Sequence, residues 1–243
     1  MSLDDSATIV TGASSGIGEA TAHEFASQGA RVALAARSEE RLADIAADLE
    51  TEYGAETLVV PTDVRDEAAV ESLIETVAEE WDGLDVLVNN AGLGRGGDVA
   101  DLSTEDYRAM MDTNVDGVFF ATRAALPHLA ASDGNLIFVG SFAGQYPRPG
   151  NPVYAATKWW VRGFAHSVEG QVGSDGVGVT VVNPTEVRTE FGDDDGDAFA
   201  ERFDPGEVSE PEEIADAIGF AAAQDHSTVH EIDLYRRDKF EGW

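Results

Sequence analysis

Tyr154 and Lys158 stand four residues apart in Tyr154-Ala155-Ala156-Thr157-Lys158. On a helix this spacing puts a phenol and an ammonium on one face, where both can enter one cleft. With five tyrosines and two lysines in 243 residues, chance places a Tyr four before a Lys only ~0.04 times. A free phenol, with a pKa of about 10, is a poor base at neutral pH, and a nearby cation lowers that value. Tyr154 is therefore the candidate acid/base for proton exchange with an alcohol or carbonyl oxygen. Ser141 lies 13 residues earlier, just past a β-rich run, where its hydroxyl can hold the same oxygen.

A second motif suits a dinucleotide. Thr11-Gly12-Ala13-Ser14-Ser15-Gly16-Ile17-Gly18 follows a β-branched run and leads straight into a helical pattern, the strand, turn and helix order that such a loop requires. Gly12 permits the tight turn, Gly16 lets the backbone approach a pyrophosphate, and Gly18 lets the helix pack on the sheet with its N-terminus facing the anion. Folds of this kind that prefer NAD place an acid about 20 residues on. Here the second strand ends in Ala36-Arg37-Ser38, so a guanidinium and a hydroxyl meet a 2′-phosphate, and NADP(H) is expected over NAD(H). Asp63 and Asn89-Asn90-Ala91-Gly92 also stand at strand C-termini, where open α/β sheets bind ligands.

The elements that must carry these residues alternate. Strands are expected at Ala7 to Thr11, Arg31 to Ala36, Thr57 to Pro61, Leu84 to Asn89, Asn135 to Gly140, Gly178 to Asn183 and Glu231 to Tyr235. Helical patterns fill the gaps, including Gly16 to Gln28 before Gly29 and Ser38 to Tyr53 before Gly54. Ser103-Thr104-Glu105-Asp106 resembles a capping box opening a long helix through Asn114, and Ser209-Glu210-Pro211-Glu212 opens another. The pattern predicts an α/β fold: a single domain over residues 1–243, with a doubly wound parallel sheet of about seven strands.

The chain carries 47 acidic and 15 basic residues, a formal charge of −32. A pI near 4.1 argues against nucleic-acid binding and docking to an acidic membrane. No run of 18 apolar residues and no signal-peptide pattern is visible, so a cytoplasmic location is expected. The basic residues are nearly all arginine, with lysine at Lys158 and Lys239 alone. Self-repulsion on this scale is relieved by concentrated salt, so a salt-adapted, halophilic source is expected, with an ordinary acidic cytosolic protein as the alternative.

Taken together, the glycine loop at 11 to 18, Asn89-Asn90-Ala91-Gly92, Asn114, Ser141, and Tyr154 with Lys158 resemble the short-chain dehydrogenase/reductase family over essentially the whole chain. The resemblance implies a Rossmann-like fold, a nicotinamide cofactor and a tetrad of Asn114, Ser141, Tyr154 and Lys158. In it Tyr154 moves the proton, Ser141 orients the substrate oxygen, Lys158 lowers the tyrosine pKa and binds the ribose, and Asn114 supports a water-mediated relay. It also implies cofactor contacts at Thr11, Gly12, Ser14, Ser15, Gly16, Ile17 and Gly18, and at Arg37 and Ser38. Asn90, with Ala91 and Gly92, falls to the ribose, and Asp63 with Val64 to the adenine. Pro184, Val187 and Thr189 fall to the nicotinamide end. Many members have Pro-Gly where this chain has Pro184-Thr185. The C-terminus looks like the branch of NADP-dependent 3-hydroxy acid dehydrogenases. Family habit implies a homodimer or homotetramer and a substrate lid near 189 to 210.

The remaining features have plainer readings. His226 and His230 are expected on one extended face without a third ligand, so no metal site is expected. The run Asp193 to Asp197 reads as a solvated part of the lid. Trp159 and Trp160 must point to different helix faces, one of them to the core or a subunit contact. Phe142, Gln145, Tyr146, Arg148 and Asn151, with Phe191, Phe199 and Phe203, suggest an apolar substrate pocket, with Arg148 either a clamp for a substrate carboxylate or an exposed surface arginine. The expected activity is NADP(H)-dependent interconversion of a carbonyl and an alcohol. The alternatives are a 3-oxoacyl-acyl-carrier-protein-type reductase and a non-catalytic NADP-binding sensor.

Overall fold

A computed structural model describes residues 3–192 and 198–241; the acidic run Asp193 to Asp197 lies outside the described residues. Seven parallel strands form one sheet: β1 (Ala7–Thr11), β2 (Arg31–Ala36), β3 (Thr57–Pro61), β4 (Val86–Asn89), β5 (Asn135–Val139), β6 (Gly178–Pro184) and β7 (Glu231–Leu234). Their spatial order is β3-β2-β1-β4-β5-β6-β7. The chain therefore reverses direction across the sheet between β1 and β4, the crevice where doubly wound folds bind ligands.

Strand alternation supplies two cores. Val10, Val32, Leu34, Val86, Val88 and Ile137 face one side, packed against α1 (Gly16–Ser27), α2 (Glu39–Tyr53) and a helix near the C-terminus, numbered α8 below. Ile9, Ala33, Ala35, Leu87, Leu136 and Phe138 face the other, under α3 (Glu67–Trp81), α5 (Val118–Ser132) and α6 (Pro152–Val172). Both faces are covered, as a parallel sheet requires. The remaining α-helices among the described residues are α4 (Thr104–Met111), α7 (Phe199–Arg202) and α8 (Pro211–Ala222).

Local chemistry sets the helix ends. Gly54 closes α2 in the left-handed region at φ 68°, and Glu210 and Glu213 form a reciprocal capping box at the start of α8. Ser103 accepts from the Asp106 amide to open α4. The helix expected to run through Asn114 as one piece does not do so. Its α-helical part ends at Met111, and Asp112–Gly117 form a π-helical turn before α5. The extra residue in that turn rotates Asn114 inward, where it is 1% exposed.

Among the described residues, no helix is long and apolar enough to cross a membrane. The charge of −32 makes fold stability depend on ions, because at molar salt the Debye length shrinks to about 3 Å. The unfolding midpoint should rise by about 5 °C or more between dilute and molar KCl, measured by circular dichroism. A flat salt response would remove the case for salt adaptation.

Candidate active site

The glycine loop leaves β1 at Thr11 and is braced from β4. Thr11 Oγ donates to the Val88 carbonyl at 3.0 Å and accepts from the Asn90 and Ala91 amides at 3.0 and 3.1 Å. The Asn90 side chain donates to the carbonyls of Thr11 and Gly12, at 2.8 and 3.2 Å. Gly12 takes φ +66°, and a Cβ there would come within 2.9 Å of Ala91 Cα, while one on Gly18 would collide with the Gly12 carbonyl. Both positions therefore exclude side chains. Ser14 to Ile17 are partly exposed around the start of α1. Ser15 precedes the helix without capping it by its side chain, so its hydroxyl and the first-turn amides offer an anion cradle.

Arg37 is exposed at the end of β2, and Ser38 precedes α2. Asp63 is held by Arg65, at 2.9 Å to Nε and 2.5 Å to Nη2. These hydrogen bonds keep its carboxyl below the usual range despite partial burial, and Arg37 adds to the lowering. Arg37 and Asp63 thus share one rim of the crevice. Val64 lies against Gly117 in the π-helical turn.

The four expected catalytic residues converge. Lys158 is 6% exposed, and its Nζ donates to the Val139 carbonyl at the end of β5, at 2.8 Å. Gly92 passes above it, with room for a Cβ only 3.7 Å from Nζ. Asn114 accepts from the Leu93 amide at 2.9 Å and donates to the Leu93 carbonyl and to Thr157 Oγ, at 2.8 and 3.0 Å. Thr157 in turn donates to the Tyr154 carbonyl at 2.7 Å. Ser141 Oγ accepts from the Ala143 amide at 3.1 Å, which leaves its proton free to donate, and it hydrogen bonds with the Tyr154 phenol. The Lys158 ammonium lies 5.9 Å from the Tyr154 ring centre.

One electrostatic expectation is corrected. Burial raises the Tyr154 pKa above its ordinary value, and Ser141 and Arg148 only partly oppose that rise. Lys158 is itself taken from 10.5 down to about 8 by burial, so the low dielectric disfavours charge on both partners.

Beside these residues lies a cavity of about 110 Å³, walled by Ser141, Phe142, Tyr154, Pro184, Phe191 and Phe199 and bearing the charged residues Arg148, Glu186 and Lys239. Phe191 packs 5.6 Å from the Tyr154 ring, and Phe199 follows at 5.8 Å. The segment after β6 is fastened at its base. Val187 bridges to Ser209, and the Arg188 guanidinium meets Glu210 at 3.1 Å. Thr189 lies against Gly16. A larger cavity, about 630 Å³, is lined by Glu19, His23, Glu190 and Asp216 and reaches the glycine loop at Ser15, Gly16 and Thr189, without Tyr154 in its wall.

Several positions were missed by sequence reasoning. Asn183 accepts from the Ser141 amide at 3.2 Å and donates to Glu231 and Asp233, at 2.5 and 3.0 Å. Glu231 also receives Arg162 and Gln145, which pull its carboxyl down to about 2. His226 is exposed and His230 precedes β7, so the two do not share a strand face. His230 instead stacks on His166 at 4.3 Å with the ring planes 18° apart, next to Glu231. In-plane lone pairs on such stacked rings run nearly parallel, and Glu231 is already engaged by Arg162. The group reads as an imidazole stack between carboxylates.

Fold and site together define a doubly wound α/β oxidoreductase with the four expected catalytic side chains gathered near the carboxyl ends of its strands. A model of the short chain dehydrogenase family matches residues 6–198, and the chain belongs to that family. It is 37% identical over 235 residues to an NADP-dependent 3-hydroxy acid dehydrogenase of Escherichia coli, covering 93% of each. It is also 35% identical over 238 residues to a meso-2,3-butanediol dehydrogenase of Serratia marcescens, covering 96% of this chain and 94% of the other. Among solved structures, an alcohol dehydrogenase from Thermococcus sibiricus complexed with 5-hydroxy-NADP superposes with a TM-score of 0.87 at 31% identity, over 95% and 96% of the two chains. A serine dehydrogenase complexed with NADP+ gives 0.85 at 34%, over 93% of each.

The buried lysine makes stability depend on pH. Between pH 8 and 10.5 the unfolded chain still holds the Lys158 proton that the folded chain has released, so stability rises with pH across that window. The full cost of burying the charge, about 3 kcal/mol, applies below pH 8. Urea unfolding at fixed salt should show the wild type gaining about 2 kcal/mol on Lys158→Met between pH 7.5 and 10. A constant difference would mean that the folded chain keeps the Lys158 proton across this window, as the unfolded chain does, and that burial does not lower its pKa.

Proposed function

We propose that this chain is an NADP(H)-dependent oxidoreductase that interconverts a carbonyl and an alcohol in a salt-rich cytoplasm. The observation that carries the reading is the convergence of Ser141, Tyr154 and Lys158 beside a small pocket, one strand end from the braced glycine loop. The loop suits a dinucleotide: Gly12 and Gly18 leave a bare backbone turn, and the uncapped start of α1 offers amides to a pyrophosphate. Thr11, Ser14, Ser15, Gly16 and Ile17 line that cradle, with Ala91 and Gly92 opposite. Arg37 and Ser38 take the 2′-phosphate, and Asp63 with Val64 flanks the adenine. Asn90 contributes mainly by shaping the loop. Pro184, Val187 and Thr189 border the nicotinamide.

When bound, the nicotinamide supplies or accepts the hydride. In reduction Tyr154 gives its phenolic proton to the carbonyl oxygen as that oxygen gains electrons, and Ser141 donates a hydrogen bond to it. A raised tyrosine pKa suits the acid in this direction. In oxidation the proton passes from the alcohol to the phenolate, which the Ser141 hydroxyl stabilises. Asn114 holds the turn over Lys158 and anchors a proton relay. The segment at 189 to 210 acts as a lid, with Phe191 closing over Tyr154. Tyr107, Phe119 and Trp159 are exposed on α4, α5 and α6, a face suited to a homo-oligomeric contact. The similarity to a 3-hydroxy acid dehydrogenase supports a hydroxy acid as substrate.

Two substitutions test the reading with NADPH and a panel of ketones and 3-oxo acids in concentrated KCl. Tyr154→Phe should lower kcat by about 10²- to 10⁴-fold while NADPH binding persists; unchanged turnover would refute the acid/base role. Arg37→Ala should weaken NADPH about 10- to 100-fold and leave NADH nearly unaffected. Equal losses for both cofactors would mean that Arg37 does not read the phosphate.

A further inference from the structure

The substrate pocket contains a cation that the tetrad does not use. Lysine occurs twice in this chain, and both copies are buried: Lys158, beside Tyr154, is 6% exposed, and Lys239, in the wall of the pocket, is 7% exposed. A buried ammonium is costly unless an anion meets it. Lys239 is met by Glu186, at 2.6 and 2.8 Å to its two carboxylate oxygens. Burial raises the Glu186 pKa, but the Lys239 hydrogen bond, a backbone amide and Arg236 outweigh it and keep the carboxyl below its ordinary range.

The C-terminal tail is tied down where it delivers this lysine. Thr185 donates its amide to the Leu234 carbonyl at 3.0 Å and accepts the Arg236 amide on Oγ at 3.0 Å. Lys239 then closes a turn back to the Arg236 carbonyl at 3.0 Å. Thr185 replaces the glycine that many family members carry, and a glycine has no hydroxyl with which to make the second bond.

Charge counting points to the ligand. Arg148, Lys239 and Glu186 are the charged residues that line the pocket among the described residues. Arg148 lies 3.7 Å from Glu186, while Arg236 is nearer to Asp238, at 3.1 Å, than to Glu186, at 3.9 Å. Two cations therefore share one carboxylate, leaving one positive charge in a chain of net −32. Both cations lie over Phe142, Lys239 at 4.5 Å and Arg148 at 5.7 Å from the ring centre. Phe142 directly follows Ser141, so the surplus charge stands beside the hydroxyl that holds the reacting oxygen.

We propose that Lys239 and Arg148 form an anion subsite of the substrate pocket, with Glu186 as its internal counter-ion, and that the substrate is a small oxo or hydroxy acid bound there by its carboxylate. This rests on the reductase reading above and deepens it: a monocarboxylate neutralises the pocket, whereas a neutral diol leaves it charged. Glu186 competes with the incoming carboxylate for the same two cations, so it sets the affinity.

The test is binding of 3-oxobutanoate and its neutral amide to the enzyme saturated with NADP+, by calorimetry at fixed KCl, since the oxidised cofactor cannot reduce either. The wild type should bind the acid at least tenfold more tightly than the amide. Lys239→Met and Arg148→Met should each reduce that preference about tenfold, and Glu186→Gln should tighten acid binding several-fold. Arg148→Met is the safeguard against a disturbed tail, because Arg148 is 40% exposed and lies outside it. Equal affinities in the wild type, or a preference that survives both lysine and arginine substitutions, overturns the subsite. NADPH turnover is read separately. Selective binding of the acid without turnover of either compound leaves the subsite standing and removes the reductase reading, while equal turnover and equal binding of both compounds does the reverse.

Discussion

The site depends on one contact, the Lys158 ammonium on the Val139 carbonyl. A lysine on the inner face of a long helix must find an oxygen, and the end of a parallel strand, where pairing stops, has one to give. That contact seats α6 on β5 and so fixes Tyr154, one turn earlier on the same helix. Everything above it is arranged around the same point. Gly92 keeps the chain thin over the ammonium, and Asn114 holds Leu93 and Thr157 in a single grip. The π-helical turn at Asp112–Gly117 is what allows a helical asparagine to face inward here. Loosening any of these would move the phenol relative to Ser141, which sits on a different element.

Charge is distributed by depth. Acidic groups dominate the exterior of this protein, and its lysines lie in the interior beside the pocket. The interior cations are paired with a carbonyl in one case and a carboxylate in the other, so both are compatible with burial. Behind Ser141 a second polar layer runs through Asn183 to Glu231, which four side-chain donors from Arg162, Gln145 and Asn183 converge on. That layer ties the serine to the edge strand β7 and to α6.

Much of the frame was legible in the sequence for local reasons. β1, β2 and β3 match their β-branched runs residue for residue, because Gly12, Arg37 and Glu56 each mark one end of a run. β4 begins two residues later than its apolar run, since Asp85 uses its carboxylate to hold the Ala7 amide, at 2.7 Å, before pairing begins. The Tyr154 and Lys158 spacing was legible because both lie on one helix. The π-helical turn was not, as one inserted residue leaves no mark on a period of 3.6. The partners of Ser141 and Lys239 were hidden for another reason. Asn183 is 42 residues from Ser141, and Glu186 is 53 from Lys239, and such pairs arise from strand order. The rarity of lysine was the available signal for Lys239. The expected lowering of the tyrosine pKa failed because adjacency in sequence carries no information about dielectric.

The brace between Asn90 and the glycine loop has a consequence for the order in which this molecule becomes functional. The loop follows β1, but its hydrogen bonds reach Asn90, 78 and 79 positions later in the chain. Until β4 has docked beside β1, Thr11 and Gly12 have no amide to hold them and the turn is one of many available to a glycine-rich segment. A partly made or partly folded chain thus lacks the ordered glycine turn even though all of its loop residues are present. Any dinucleotide that binds there selects chains in which the two halves of the sheet are already joined. Its stabilising effect falls wholly on the assembled form.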